Sequence, residues 1–462
     1  MYLIDIKVYI KRSKKVEKLH KIQRPANEKS HELFTRAIAH ISQPAWRSLQ
    51  ERANAAYMSW DEFRKKSWVP REGDEYWVAI KFFRQAALKK GNIKDKDGGK
   101  YGYSADRHSQ FLHEVDLEFG GNLLGVRDFS EGDRVQIIRM NLIEESIASS
   151  RLEGANTSRE AARMMLREGR KPRDKSERMI VNNHAAMTWI ETTGRNQKLT
   201  IDMLLDLHQQ VTSGTLQNET LEGKFRETLN AKGRRLVIKP WADETISYMT
   251  PDREFVDEQI PNLIAFANDE DASSFIHPLI KAIMLHFWIG LLHPFEDGNG
   301  RLARILFYWY MLRRGYWAFS YLSLSEHILK SPKAYSLAYI NSEQDGYDLN
   351  YFIQYNVEKL QLARQKLQEF LKEQVRENKE RMKIAQSGLG LNERQIKLLQ
   401  QFSLGEVTQA SVASQQTNNP ELSYLTSIKD LKSLVERGFL RKVKNGRNVI
   451  YLPTDKVQTL FR

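Results

Sequence analysis

Cysteine is absent from the 462-residue sequence. The chain therefore has no disulfide framework, no thiolate nucleophile and no cysteine-ligated metal. Long apolar runs are also absent: the longest, near Ala282–Leu292, is interrupted by His286 and is too short to cross a bilayer. The N-terminus, Met1–Ile10, alternates like a strand and lacks the basic, apolar and small-residue order of a signal peptide. We expect a soluble, cytoplasmic protein without membrane contact.

Lysine and arginine outnumber the acidic residues, and this excess lies at the two ends of the chain. The formal net charge is +13. Residues 1–100 carry 23 Lys and Arg against 12 Asp and Glu, residues 391–462 carry 11 against 6, and the middle is slightly acidic at −3. Basic ends favour an anionic partner such as nucleic acid. A merely solvated surface is the alternative, and the charge alone does not decide between them.

The chain is too long for one small core, so two to four domains are expected. Apolar residues at three- and four-residue spacing predict helices from about Asp133 onward, among them Val135–Leu152, Ile201–Val211, His277–Leu292 and Asn299–Leu312. A mainly α fold follows. We place an N-terminal accessory region at 1–125, a helical domain at 126–385 and a C-terminal domain at 391–462, with a boundary in the glycine-containing segment 384–390.

Other patterns predict local structure. A strand is expected at Tyr2–Ile10 and a helix at Trp77–Leu88. The charged, glycine-rich stretch Lys90–Lys100 is typical of a surface loop. Apolar runs around polar turns between Glu227 and Tyr248 predict a hairpin. The apolar stripe in Leu349–Lys383 predicts one long helix.

The most informative stretch is His293–Arg304, HPFEDGNGRLAR. Its Gly298-Asn299-Gly300 turn opens a helix, where glycines let backbone N–H groups converge and the helix dipole favours an anion. Arg301 and Arg304 lie three residues apart, hence on one face of that helix, and bring two guanidinium groups to the same anion. Together they describe a cradle for a chain of phosphates.

Two further side chains supply chemistry beside the cradle. Asp297 offers a hard oxygen ligand for Mg²⁺, which binds through a carboxylate and substrate phosphates. His293 can accept a proton near neutral pH and activate a hydroxyl for attack on phosphorus. Each feature alone is common, as a helix end, a turn or a solvated charge. In this order within one short segment they predict phosphoryl or nucleotidyl transfer.

The stretch also resembles the Fic family motif, His-x-Phe-x-[Asp/Glu]-Gly-Asn-Gly-Arg-x-x-Arg, at every defined position. The resemblance implies a helical core that transfers AMP from ATP to a hydroxyl of a target protein, releasing pyrophosphate. It implies that His293 is the general base and that Asp297 holds Mg²⁺. Gly298, Asn299 and Gly300 would hold the phosphates of ATP. Arg301 and Arg304 would bind the β- and γ-phosphates.

The resemblance extends to two segments before the motif. Gly223-Lys-Phe-Arg226, followed by Val237 and Ile238, resembles the flap hairpin of the family. An exposed hairpin edge could hold a target segment by strand addition, placing its hydroxyl near His293. The alternative is a surface hairpin without a docking role.

Ser149-Ser-Arg-Leu-Glu153-Gly resembles the inhibitory motif of the family, on a helix that precedes the catalytic core, at about 135–153. A Glu153 carboxylate paired with Arg304 would occupy the guanidinium group that the γ-phosphate needs. Resemblance to bifunctional relatives leaves a second role open for Glu153, the positioning of water for AMP removal.

The C-terminal region predicts three helices, Asn392–Phe402, Val407–Ser414 and Leu422–Arg437, followed by a basic hairpin around Asn445-Gly446. This order is similar to a winged helix-turn-helix. In the third helix Leu425 is expected to face inward. Such a domain could bind DNA, or it could dock proteins or a second copy of the chain. The predicted DNA contacts are Tyr424, Ser427 and Lys429 on the third helix and Lys442, Lys444 and Arg447 on the wing.

The sequence therefore predicts an ATP-dependent protein adenylyltransferase, with Mg²⁺, that is restrained by Glu153. The acceptor is expected to be a Ser, Thr or Tyr hydroxyl of a target protein or of the chain itself. A rival function is a DNA-binding regulator whose Fic core only senses nucleotide, although an intact His293 favours chemistry. A third is net AMP removal. A homodimer is compatible with the sequence.

Overall fold

The computed structural model describes residues 6–11, 20–26, 28, 30–121, 131–230, 233–239, 248–270, 274–386, 390–403, 405, 407–419, 422–445 and 448–460. Helices dominate this part of the chain and the strands are short, which confirms the predicted mainly α fold. None of its described helices is both long and apolar enough to cross a membrane.

The N-terminal region packs four helices around a small apolar core that includes Leu33, Trp46 and Trp77. The stretch predicted as a loop at Lys90–Lys100 is instead mostly a hairpin, closed by a turn in which Gly98 has φ +83° and Asp95 N donates to Gly99 O at 2.8 Å. The lysines misled the prediction, because they lie on a half-exposed ribbon. The elements of this region are β1 (Ile6–Lys11), α1 (His31–Ala39), α2 (Pro44–Ala55), α3 (Trp60–Phe63), α4 (Gly73–Ala86), β2 (Lys89–Lys94), β3 (Lys100–Tyr103) and α5 (Ser109–Val115).

The central region is a helical body built around α11, which is buried on all sides. A helix that is apolar all round belongs inside a larger protein, and α11 is surrounded by α10, α12 and α15. The elements here are α6 (Glu131–Leu152), α7 (Arg159–Glu168), α8 (Lys175–Thr192), α9 (Ile201–Thr212), β4 (Arg234–Lys239), β5 (Tyr248–Met249), α10 (Arg253–Ala267), α11 (Pro278–Leu292), α12 (Asn299–Arg313), α13 (Leu324–Leu329), α14 (Pro332–Gln344) and α15 (Asn350–Gln386).

A three-stranded antiparallel sheet lies beside this body, in the order β1-β4-β5. The hairpin β4–β5 was predicted from its apolar runs and is confirmed. Its pairing with β1 was not predicted, because more than 200 residues separate the two strands in the sequence. The long helix predicted at Leu349–Lys383 is α15.

The C-terminal elements enclose their own core, which includes Ile396, Leu431 and Tyr451. The predicted basic hairpin is confirmed as β6–β7. Two predictions were wrong: the second helix begins after Ser411, which caps it, and Leu425 is 76% exposed near the start of the third. Membership of the winged-helix class and the domain boundaries stay predictions. The elements are α16 (Glu393–Ser403), α17 (Val412–Asn418), α18 (Tyr424–Glu436), β6 (Leu440–Asn445), β7 (Asn448–Pro453) and α19 (Asp455–Leu460).

Candidate active site

The joint between α11 and α12 carries the His293–Arg304 stretch. His293 ends α11 in the left-handed conformation, with φ 44° and ψ 56°, and its N–H donates to Ile289 O at 2.9 Å. Gly298 precedes α12 with φ +87°. A non-glycine residue held at positive φ is uncommon and is typical of functional sites. The joint therefore reverses the chain sharply, and His293, which is 5% exposed, lines a cavity.

Asn299 fixes the loop between the two helices. Its Oδ1 accepts from Phe295 N at 2.9 Å, and its Nδ2 donates to Phe295 O at 2.8 Å. Because Asn299 is buried, these two hydrogen bonds stabilise the conformation of the loop. The first N–H groups of α12 have no partner within the helix and are available at its positive end. The predicted phosphate cradle therefore has a rigid frame.

His208 on α9 is a part of the site that the sequence did not reveal. Its Nε2 lies 2.8 Å from Asp297 O, its Nδ1 accepts from Gly223 N at 3.0 Å, and its ring stacks on Phe295 with centroids 3.7 Å apart. Because Nδ1 accepts, Nε2 carries the proton and donates. His208 thus links the loop to the segment that leads into β4. No local motif marks it, since its partners lie up to 89 residues away.

Arg226 holds the loop from the other side. Its backbone N donates to Pro294 O at 2.9 Å, its Nε to His293 O at 2.7 Å and its Nη2 to Pro251 O at 2.9 Å. The side chain is buried. This position favours support of His293 over the predicted contact of Arg226 with a target protein.

The two arginines in the first turns of α12, Arg301 and Arg304, are both buried, as charged groups are only when they have partners. Arg301 donates through Nη1 to Val211 O, and its Nη2 lies 3.6 Å from Asp297 Oδ1. Arg301 Nε makes no hydrogen bond with any residue that the structure describes. A buried guanidinium group with spare donors suits an anion at the start of α12.

Arg304 is held by the end of α6. Its Nε donates to Ser149 Oγ at 2.8 Å, and its Nη2 donates to Ser149 O and to Glu153 Oε1, both at 2.9 Å. Burial lowers the pKa of Arg304, but Glu153, Tyr335 and Glu145 together outweigh this effect and the pKa is raised. The two residues predicted to form the inhibitory contact, Ser149 and Glu153, are therefore both brought to Arg304.

Glu153 also covers the predicted cradle. A Cβ placed on Gly300 would lie 2.0 Å from Glu153 Oε1, so the carboxylate rests directly over the Gly300 backbone. One cavity is lined by residues of the joint, the end of α6 and the hairpin, among them Glu153, Ile238, His293 and Arg304. The His293 imidazole, the Arg304 guanidinium group and the Glu153 carboxylate consequently line one cavity.

Comparison with known proteins identifies the motif-bearing segment. The Fic/DOC family model matches residues 198–311. This segment is a Fic/DOC family domain. The curated protein adenylyltransferase fic-1 of Caenorhabditis elegans is 29% identical over 155 residues, which are 33% of this chain and 27% of that protein. Protein adenylyltransferase Fic of Culex quinquefasciatus is 30% identical over 139 residues, 30% of this chain and 25% of that protein. The chain spans about a quarter of the length of these relatives.

Solved structures of Fic proteins resemble the chain over a wider range. Fic-1 of Caenorhabditis elegans covers 76% of this chain and 90% of its own, with 18% identity and a TM-score of 0.47. A Fic family protein of Desulfovibrio desulfuricans covers 76% and 95%, with 16% identity and a TM-score of 0.45. The Fic domain matched by the family model contains His208 and all of His293–Arg304, whereas Glu153 lies before it.

The Fic domain offers one carboxylate that fits Mg²⁺. Asp297 is partly exposed beside the start of α12, and its Oδ1 accepts from Gly298 N. The described residues contain no group of three or more His, Asp or Glu side chains of the kind that encloses a metal. A single carboxylate next to a phosphate cradle nevertheless fits Mg²⁺, which takes most of its other ligands from substrate phosphates and water.

The remaining predicted residues lie outside the loop of the Fic domain. Gly223 has φ +69° and is the donor to His208. Val237 is buried in β4, whereas Ile238 lines the cavity. In the C-terminal region, four residues of the predicted DNA-contact set are exposed: Tyr424 and Lys429 on α18, and Lys442 and Lys444 on β6.

The other two residues of the predicted DNA-contact set are not among these exposed side chains. Ser427 is 1% exposed, with its Oγ directed to Ser423 O, so its side chain is part of the helix packing and that prediction was wrong. Arg447 lies outside the described residues.

Proposed function

We propose that the chain is a protein adenylyltransferase that transfers AMP from ATP to a Ser, Thr or Tyr hydroxyl of a target protein, and that Glu153 restrains it. The observation that supports this proposal best is the shared cavity of His293, Arg304 and Glu153. The names of the curated relatives, which are protein adenylyltransferases, point to the same reaction.

In this proposal each residue of the joint has one task. His293 takes the proton of the attacking hydroxyl, whose oxygen bonds to the α-phosphorus while pyrophosphate leaves. The start of α12, with Gly298, Asn299 and Gly300, receives phosphate oxygens through backbone N–H groups. Arg301 and Arg304 offset the charge of the β and γ end. Mg²⁺ held by Asp297 and the phosphates would neutralise charge that develops on the leaving group.

The restraint by Glu153 is a competition for the same donors. With Glu153 in place, Nη2 of Arg304 is bonded to a carboxylate, and the carboxylate also covers Gly300. A γ-phosphate must displace it to reach Arg304. ATP binding therefore shifts the protein between two arrangements, and its productive affinity falls with the fraction of the open one.

The decisive experiment measures transfer of label from α-labelled ATP to protein with Mg²⁺. The matched chains are the parent, Glu153→Gly, and Glu153→Gly with His293→Ala. Strong labelling by the second chain alone is expected. If Glu153→Gly labels no more than the parent in the presence of a cell extract, the restraint is wrong. If the His293→Ala chain labels equally, His293 is not the base. Release of AMP from labelled protein by the parent would instead favour the bifunctional alternative.

A second candidate function is DNA binding by the C-terminal unit. Lys442 and Lys444 are exposed on β6, and Lys429 is exposed on α18. Lysines on a hairpin beside a helix suit phosphate contacts of a duplex. Titration of labelled duplex DNA at low salt tests it: affinity that weakens steeply with salt and is lost in Lys442→Ala with Lys444→Ala is expected. No affinity at low salt would leave protein docking or homodimer formation as the role of this unit.

A further inference from the structure

A second cavity is bordered by α6, α7, α13 and α15. Its volume is about 850 Å³, within the usual range for a small-molecule site. Among the described residues, none lines both this cavity and the cavity of His293. Arg159, Arg163 and Arg167 line one wall at a spacing of four residues, which places them on one face of α7. The cavity is therefore a separate candidate site with arginine side chains along one wall.

Two arginines of this wall share one carboxylate. Glu144 on α6 accepts from Arg159 Nε at 2.6 Å and from Arg163 Nε at 2.7 Å. The side chains of Arg159 and Arg163 are 37% and 36% exposed, whereas that of Glu144 is 15% exposed. One carboxylate balances only one of the two positive charges. The two guanidinium groups also have more N–H donors than this carboxylate accepts.

The second carboxylate at the cavity serves even more cations. Glu326 on α13 lies 3.4 Å from Lys330 Nζ and 3.8 Å from Arg159 Nη2, and it also pairs with Lys366 on α15. Glu144 and Glu326 are the acidic side chains that line the cavity, in the part of the chain that the structure describes. The two carboxylates thus share four cations, and two positive charges are left in excess.

The rest of the lining is largely apolar or neutral. Tyr321 and Leu322 are buried, and Met140 and Phe370 are partly exposed. Burial lowers the pKa of His327 to about 4, with nearby lysines adding to this shift and one glutamate opposing it, so the imidazole is neutral at pH 7. A mostly apolar lining with a few charged groups is typical of sites for organic ligands.

We propose that this cavity binds a small organic phosphate monoester. Its phosphate contacts Arg159 and Arg163, and its apolar or aromatic body packs against Met140 and Phe370. Arginine matches the geometry of phosphate with two parallel hydrogen bonds, and a phosphate dianion balances the two excess charges. A ligand with a single carboxylate would balance only one of them. The proposal is independent of AMP transfer, because none of these four residues lines the cavity of His293.

The test titrates phenyl phosphate into the complete chain and measures its affinity by isothermal titration calorimetry. Arg163→Gln is expected to weaken binding by about tenfold or more, because a charge-assisted hydrogen bond to the phosphate is lost. Arg163→Lys, which keeps the charge, should bind more tightly than Arg163→Gln. Arg195→Gln is the matched control and should bind like the parent, since Arg195 is 37% exposed and pairs with a single carboxylate, Glu191. Circular dichroism confirms that each variant is folded.

Inorganic phosphate and phenol test the two halves of the ligand separately. Each should bind about tenfold more weakly than phenyl phosphate or worse, since each fills only part of the cavity. Inorganic phosphate that binds as tightly would overturn the contact with an organic body, and phenol that binds as tightly would overturn the contact with phosphate. No binding of phenyl phosphate, or equal affinity for the parent and folded Arg163→Gln, would overturn the site itself.

Discussion

At the residue scale, the restraint proposed above depends on the pair of Arg304 and Glu153. Holding about 1% of molecules competent needs roughly 2.7 kcal/mol, which one buried charge pair in good geometry can supply. The pair is almost sealed from water, with 3% and 8% of the two side chains exposed. Solvent screening therefore weakens it far less than it weakens the exposed ion pairs of this chain.

Removing Glu153 should leave a buried cation without its carboxylate. We expect Glu153→Gly to unfold more easily than the parent by about 3 kcal/mol, the usual cost of breaking a buried pair. ATP with Mg²⁺ should restore part of this loss, because phosphate oxygens replace the carboxylate and binding stabilises the folded state. Thermal unfolding of both chains, with and without ATP, measures it. A larger ATP-induced rise in the parent than in Glu153→Gly would contradict the competition.

Glu343 is a cavity residue whose protonation is expected to change near neutral pH. It lines the same space as His293. Burial raises its pKa to about 8, with Lys96 opposing this shift and Asp95 and Asp97 adding to it. In the unfolded chain the pKa returns toward 4.5, so between about pH 5 and 8 the folded state binds the extra proton. The stabilisation is present below this window and is lost as the pH rises through it.

We expect the pH dependence of the free energy of unfolding to change when Glu343 is replaced. Across this window the free energy of unfolding of the parent should fall relative to that of Glu343→Gln, in which the group cannot ionise. Urea denaturation of the two chains at several pH values gives the difference, in which the titration of all shared groups cancels to first order. Parallel curves for the two chains would show that Glu343 does not titrate in this window.

At the element scale, the sequence predicted helix bounds well where a regular apolar pattern marks the helix. The predicted bounds of α9, α11 and α12 differ from the observed ones by a single residue or less at each end, because each helix begins at a turn or cap and carries a regular apolar pattern. The β2–β3 hairpin was missed because its lysines outweighed its turn. The pairing of β1 with β4 was missed because a strand sequence does not specify a distant partner.

The same reason explains why His208 escaped prediction. Its function depends on the loop after α11, which only the folded chain brings to α9. We expect His208→Phe, which preserves stacking on Phe295 but loses both hydrogen bonds, to lower AMP transfer by about 100-fold, the usual effect of a displaced reactive group. The measurement is initial rate in the Glu153→Gly background, with His184→Phe on α8 as matched control. Equal rates in the two variants would remove His208 from the positioning of the loop.

At the scale of the whole molecule, β1 pairs residues 6–11 with β4 of the Fic domain. By covering the β4 edge, β1 occupies the surface that strand addition by a target segment would use. The basic excess of residues 1–100 thus includes a segment docked beside the candidate site. A target segment that used this edge would have to displace β1, which the chain holds at a high effective concentration.

This tethering predicts a difference between the complete chain and one without its first strand. A fluorescent peptide of residues 4–13 should bind a chain that lacks residues 1–19 and should bind the complete chain much more weakly, because the tethered strand outcompetes it. Fluorescence anisotropy measures both affinities, and circular dichroism confirms that the shortened chain stays folded. A peptide with its residue order scrambled is the control, since the register depends on alternation. Equal binding to both chains would mean that β1 does not compete for this edge. Failure of the peptide to bind the folded, shortened chain would mean that the edge does not hold the segment by itself.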